Sequence, residues 1–220
     1  MKYSIGDKIQ DSSIESLNFE KALLDLDRVR AEEILFEKAK SSSSLYAIDS
    51  IVSPALQRIG SAWDSGEIAL SQEYMAGKIT EQLVDKILPP ESPERLTSPR
   101  IAITTLGDFH MLGKKIVVSV LKSIGYSVLD YGGMQVEDVV KKVGEDDVDI
   151  LLASTLMFNF ALKVGELKKS LDENNLDVML IVGGAPFLFD AQLETDVGAD
   201  IMARTAGEVL AIVEKYVEGQ

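Results

Sequence analysis

The 220-residue sequence contains no cysteine and a single histidine. The first absence excludes disulfides, thiolate metal sites and cysteine nucleophiles. The second excludes a multi-histidine zinc site. Basic residues are scarce, 22 Lys and Arg against 36 Asp and Glu, for a formal charge of −14. Neutralising phosphates requires clustered Lys and Arg, so no nucleic-acid partner is expected. The acidic balance favours solubility and steers the chain towards basic partner surfaces. No apolar run approaches the roughly 20 residues needed to cross a bilayer. The N-terminal stretch MKYSIGDKIQDSS lacks the apolar segment of a secretory signal. A cytoplasmic protein without membrane contact is therefore expected. Hydrophobic residues make up 46% and charged residues 26%, as in an ordinary globular chain with a sizeable core.

Four of the six prolines fall within LPPESPERLTSPR, Leu88 to Arg100. Proline blocks helix continuation and restricts the residue before it, so 89–99 reads as a linker between a domain at 1–88 and one at 100–220. Before the linker, SIESLNFEKALLDL, DRVRAEEILFEKAK, SLYAIDSIVSPALQRIGSAW and SQEYMAGKITEQLVDKIL have helical spacing. Ile14, Leu17, Ala22 and Leu24 lie on the apolar face of the first, and Val29, Ile34, Leu35 and Ala39 on that of the second. Asp27 is a candidate N-cap, Pro54 starts or kinks a helix, and Ser71 opens the last. Together they predict a four-helix bundle. After the linker, strands are read in RIAITTL, YSVLDYG, VDILLAS, LDVMLIVGG and ADIMAR, with helices near 111–124, 136–144, 158–174, 186–195 and 206–217. Strand and helix in alternation predict a flavodoxin-like (Rossmann-like) doubly wound α/β domain with a five-stranded parallel sheet. Ligands of such sheets bind beyond the C-terminal strand ends.

The histidine, His110, sits in TTLGDFHMLGKKIV, between the first predicted strand and the first helix of this domain. An imidazole coordinates a metal through one nitrogen while a carboxylate holds the other, and Asp108 is near enough to bend round to it. The alternative is that Asp108 caps the helix and His110 is an ordinary surface residue. One imidazole does not hold a bare metal ion tightly, but it can serve as axial ligand to a metal already held by a macrocycle. Such a group needs room at the same sheet edge. Gly113 opens the helix start, Ser154 and Leu156 end the third strand, and the adjacent Gly183 and Gly184 end the fourth.

These residues resemble the cobalamin (B12)-binding domain, whose pattern is D-x-H-x-x-G, then S-x-L, then G-G. Here it reads Asp108-Phe109-His110-Met111-Leu112-Gly113, Ser154-Thr155-Leu156 and Gly183-Gly184. The N-terminal half, with LNFEKALLDLDRVRAEEIL and IGSAWDSGEIALSQEYMAGKITEQLV, resembles the helical cap that precedes this domain in methionine synthase and small corrinoid methyl carriers. The resemblance implies that His110 replaces the cofactor's dimethylbenzimidazole beneath cobalt and that Asp108 hydrogen-bonds His110. It makes Ser154 a partner of the displaced base, with Gly113, Leu156, Gly183 and Gly184 lining a slot for the nucleotide tail. Met111 and Leu112 complete the loop. Two positions depart from the pattern. Met111 replaces an aspartate and weakens polar contact with the corrin amides. Phe160 stands where methionine-synthase-like members have a second serine, so a proton relay ends at Asp108.

The resemblance further implies that Trp63, Tyr74 and Met75 belong to a cap over the upper axial ligand; the alternative for Trp63 is the bundle core. It implies a carrier with methylcobalamin as the working form, which passes a methyl group from one methyltransferase partner to a thiol or similar acceptor on another. Such a chain is one subunit of a methyltransferase system, with a reductive activase as a further partner, and the linker is its hinge. A second reading is a sensor, because Trp63 followed by Glu73-Tyr74 resembles a feature of light-sensing adenosylcobalamin regulators. Tyr74 stands where they have histidine.

Overall fold

The computed structural model describes residues 5–219, with the side chains of 14–63 and 65–219. Met1–Ser4, the first residues of the stretch MKYSIGDKIQDSS, lie outside the described residues. The chain forms two compact units, Met1–Leu88 and Pro89–Gln220.

The helical unit contains α1 (Ile5–Leu24), α2 (Arg28–Ser41), α3 (Ser44–Ala47), a π-helical turn at Ile48–Val52, α4 (Ser53–Asp64) and α5 (Leu70–Ile87). α3, the π-turn and α4 run on as one rod, which makes four rods in all. Asp27 caps α2 by accepting from the Arg30 amide at 3.0 Å. Pro54, in the first turn of α4, has no N–H to donate, and the helix widens into the π-turn immediately before it. α5 begins at Leu70 rather than Ser71, because Gln72 Oε1 accepts from the Ala69 amide at 3.0 Å.

Phe19, Leu23, Leu35, Ile51 and Leu83 are fully buried and form the centre of this unit. Ile14, Leu17 and Val29, expected on the buried faces, are exposed. On α1 the buried stripe runs through Ser16, Phe19 and Leu23, and the helical rotation carries Ile14 and Leu17 off it. Ser16 is tolerated there because its hydroxyl donates to the Ile51 carbonyl at 2.9 Å and accepts from Arg58 Nη2 at 2.8 Å.

The second unit contains β1 (Leu96–Thr104), α6 (Leu112–Ile124), β2 (Tyr126–Gly132), α7 (Val136–Asp146), β3 (Ile150–Ser154) and α8 (Phe158–Glu173). It continues with β4 (Met179–Gly183), α9 (Ala185–Phe189), α10 (Leu193–Asp196), β5 (Ile201–Met202) and α11 (Ala206–Glu218). The strands form one parallel sheet in the order β2-β1-β3-β4-β5. Strand alternation sends Leu151, Ala153, Leu180 and Val182 to a core shared with α7 and α8. Ile150, Leu152 and Ile181 face the opposite core, shared with α6 and α11.

Element bounds differ from expectation in several places. β1 starts at Leu96, which pairs with Tyr126, so the end of the expected linker is already sheet. The start of that segment is tied to α6, through Ser119 Oγ to the Pro89 carbonyl and Ser92 N to the Lys122 carbonyl. Thr105 and Leu106 lie beyond β1, because Leu106 takes a positive φ of 52°. β5 has only two residues. The single helix expected at 186–195 is two short ones, because Asp190 Oδ1 accepts from the Gln192 amide and breaks the run. Among the described residues no helix is long and apolar enough to cross a membrane.

Candidate functional site

β1 and β3 are neighbours, yet the chain leaves β1 for β2 on one side and β3 for β4 on the other. Their C-terminal loops therefore part, and the crevice between them is the ligand position of a doubly wound sheet. Residues 105–111 follow β1 into this crevice, and Thr155–Met157 enter it from β3.

Hydrogen bonds set the first loop. Thr104 Oγ1 accepts from the Leu106 amide at 3.2 Å, and Thr105 Oγ1 donates to the Asp108 carbonyl at 2.8 Å. The resulting turn carries Asp108, which is fully buried, and His110, whose side chain is 43% exposed. Asp108 Oδ1 accepts from the His110 amide at 3.0 Å and lies 2.7 Å from His110 Nδ1. Its Oδ2 accepts from the amides of Leu156 at 2.7 Å and Met157 at 3.1 Å. One carboxylate thus fastens the histidine loop to the end of β3.

Burial pushes the Asp108 carboxyl up, but the His110 ring and the amides of His110, Leu156 and Met157 outweigh it and hold the carboxyl below the ordinary range. An ionised carboxylate only accepts, so Nδ1 donates in this bond and Nε2 is the ring nitrogen not engaged by Asp108. Asp108 is not the helix cap: α6 starts from Met111, which makes no side-chain cap bond.

Met111 and Leu112 are half-buried at the start of α6. A side chain at Gly113 would come within 3.1 Å of Ser154 Oγ, so the glycine lets the start of α6 approach the end of β3. Leu156 is 42% exposed beside the histidine loop. Gly183 and Gly184 have a local cause as well. A Cβ on Gly183 would lie 2.9 Å from the Ala203 carbonyl oxygen, and one on Gly184 1.8 Å from that of Thr155. Gly184 also takes φ 120°, so the turn out of β4 passes against the turn out of β3 only because no side chain is present. Trp63 is half-buried on α4, and Tyr74 and Met75 are exposed on α5.

The amides of Leu156 and Met157 were not legible as site groups, because backbone donors have no residue-type signature. Thr105 was signalled only by a threonine pair at a strand end. Thr155 Oγ1 is buried and has no hydrogen-bond partner among the described residues. An unmet polar atom at a sheet's ligand edge is uncommon in a closed core.

Among the described residues no group of three or more His, Cys, Asp or Glu is placed to hold a metal ion. The donor set is one carboxylate-buttressed imidazole, with Gly113 and the Ser154 hydroxyl at the same sheet edge. That set fits a metal carried by its own macrocycle, with an appended group to be housed.

Comparison with known proteins agrees. The B12 binding domain family matches residues 100–214, and a second family of the same description matches residues 18–88. The monomethylamine corrinoid protein 1 of Methanosarcina mazei is 31% identical over 183 residues, 77% of this chain and 82% of that protein. The trimethylamine corrinoid protein of Methanosarcina barkeri is 28% identical over 202 residues, 88% of this chain and 92% of that one. The solved monomethylamine corrinoid protein of Methanosarcina barkeri superposes with a TM-score of 0.73 at 26% identity, covering 88% of this chain and 94% of that one. With its buttressed histidine at the switch point of a five-stranded parallel sheet, the chain belongs to the corrinoid proteins, and cobalamin is its cofactor.

Proposed function

We propose that the chain carries a methyl group on cobalamin between methyltransferase partners, with His110 Nε2 as the lower cobalt ligand. The observation that carries this reading is the Asp108 carboxylate, shared between the His110 ring and the end of β3. It fixes the ring's tautomer and position before any cofactor arrives, so little is lost in ordering the ligand. The cofactor's displaced base and nucleotide tail would enter between α6 and β3, where Gly113 carries no side chain and Ser154 offers a hydroxyl. Leu156 covers apolar surface beside the ring. Gly183 and Gly184 act by letting the β3 and β4 loops pack closely enough to shape the slot. Bound cobalamin supplies a cobalt centre that accepts a methyl group from a donor and releases it to a nucleophile such as a thiolate. The methylamine corrinoid proteins named above support methyltransferases as the partners, and a reductive activase completes the proposed set.

The single histidine makes the ligand test unambiguous. The protein is produced with 15N-labelled histidine, loaded with cobalamin, and reduced by one electron to the paramagnetic form. Axial 15N splits each cobalt resonance line into a doublet, whereas the cofactor's own 14N base splits it into a triplet. The doublet is expected. A triplet removes His110 from cobalt. In His110→Ala the visible spectrum shifts to the form without a lower nitrogen ligand. Methyl-loaded protein mixed with a corrinoid-dependent methyltransferase and a thiol is expected to yield the methyl thioether.

A further inference from the structure

In a chain with 36 acidic side chains, Lys163 on α8 is a cation without a described carboxylate partner. Its helix neighbours Lys168 and Lys169 pair with Asp172 and Glu173 at 3.3 and 3.7 Å. The Lys163 ammonium instead lies 5.1 Å from the centroid of the Phe160 ring and donates to Gln135 Oε1 at 3.4 Å. The aromatic face holds the charge without consuming a donor. An ammonium has three donors, so others remain for a ligand.

The trio closes on the histidine loop. A Cβ on Gly107 would lie 3.2 Å from Gln135 Nε2, 3.5 Å from Phe160 and 3.8 Å from Lys163 Nζ. Gly107 also takes φ 88°, so backbone and space both keep a side chain from this position. The polar pair thus lies against Gly107, three residues before His110, at the ligand edge of the sheet. It is on the α7 and α8 side of the loop, whereas Gly113 and Ser154 are on the α6 side.

We propose that Lys163 and Gln135, seated on Phe160, form a subsite for the peripheral amides of the corrin ring. This rests on the cobalamin reading above. A macrocycle held by His110 would extend past the narrow loop towards α8. Its rim carries neutral amides, to which an ammonium would donate and a glutamine amide would both donate and accept. Phe160, at the position of the second serine in other members, serves this subsite instead of a proton relay.

The test is absorbance titration of the full chain and its Lys163→Met variant with aquocobalamin and with cobinamide, which has the same amide rim but no nucleotide tail. Lys169→Met, the same charge change on the same helix, is the control. Loss of one charge-assisted bond is expected to weaken both corrinoids about tenfold. The histidine-ligated spectrum stays unchanged, Lys163→Arg recovers part of the loss, and Lys169→Met has no effect. Equal affinity for Lys163→Met and the parent overturns the proposal. So does a loss confined to cobalamin, which assigns Lys163 to the tail phosphate, or an equal loss in Lys169→Met. Normal uptake by the parent with unchanged Lys163→Met fails the subsite alone, whereas no uptake by the parent fails the cobalamin reading as well.

Discussion

Asp108 serves two neighbours with one carboxylate, and its variants separate the two. Asp108→Ala leaves the amides of Leu156 and Met157 without their acceptor in a buried place. The expected cost is about 1–3 kcal/mol of stability, measured by urea unfolding without cofactor. The same variant releases the His110 ring, and cobalamin affinity is expected to fall about 10–100-fold, as for other outer partners of a ligating histidine. A loss of stability with affinity intact makes Asp108 a structural brace only. Gly184 offers a contrast in the same region. Gly184→Ala forces a Cβ to 1.8 Å from the Thr155 oxygen at a φ of 120° and is expected not to yield a folded α/β unit. Gly77→Ala, in the middle of α5 with nothing within 4 Å of the added carbon, is expected to stabilise by about 0.5–1 kcal/mol.

At the scale of elements, α7 is tied to the sheet by Tyr131 at the end of β2. Its hydroxyl donates to Asp146 Oδ2 at 2.8 Å and to the Lys142 carbonyl at 3.2 Å. Burial, then the hydrogen bond and negative charge of Asp146, push the phenol well above its usual range. A raised value means that the fold favours the neutral phenol. The stability it contributes is complete below the unfolded phenol's pKa, about 10, and is lost as pH rises beyond that. Tyr131→Phe is expected to cost about 1 kcal/mol at pH 8 and to flatten the decline in urea midpoint between pH 9 and 11. An unchanged decline assigns the alkaline sensitivity to other groups. The helices were legible because 3.6-residue periodicity and caps such as Asp27 are local. The ends of β1, β5 and the α9–α10 break were not, because pairing partners and the Asp190 side chain decide where a strand or helix stops.

The whole molecule has two compact units, and the proposed cofactor residues Asp108, His110, Gly113 and Ser154 all lie in the second. Ligand binding stabilises what it binds, so free cobalamin at a hundred times its dissociation constant adds about 2.7 kcal/mol to the α/β unit. Hydrogen exchange is expected to show this as added protection in β1, β3 and α6, with α1 and α2 unchanged. Equal protection throughout indicates that the two units unfold as one. The charge of −14 belongs to this scale too. Against that background the Lys163 ammonium rests on Phe160 and Gln135 rather than on a described carboxylate.

The sequence by itself determined the kind of chemistry available. One histidine, no cysteine and an aspartate two positions away allow an imidazole with a carboxylate partner, and alternating strands and helices place it at a ligand-binding edge. Only the tertiary structure decided how that imidazole is held. Asp108 binds amides from the far strand, Gly184 makes room for a passing carbonyl, and Lys163 rests on Phe160. The reason is physical: periodicity and residue type act between near neighbours in the chain, whereas backbone donors and steric contacts become partners only when the sheet brings its strand ends together.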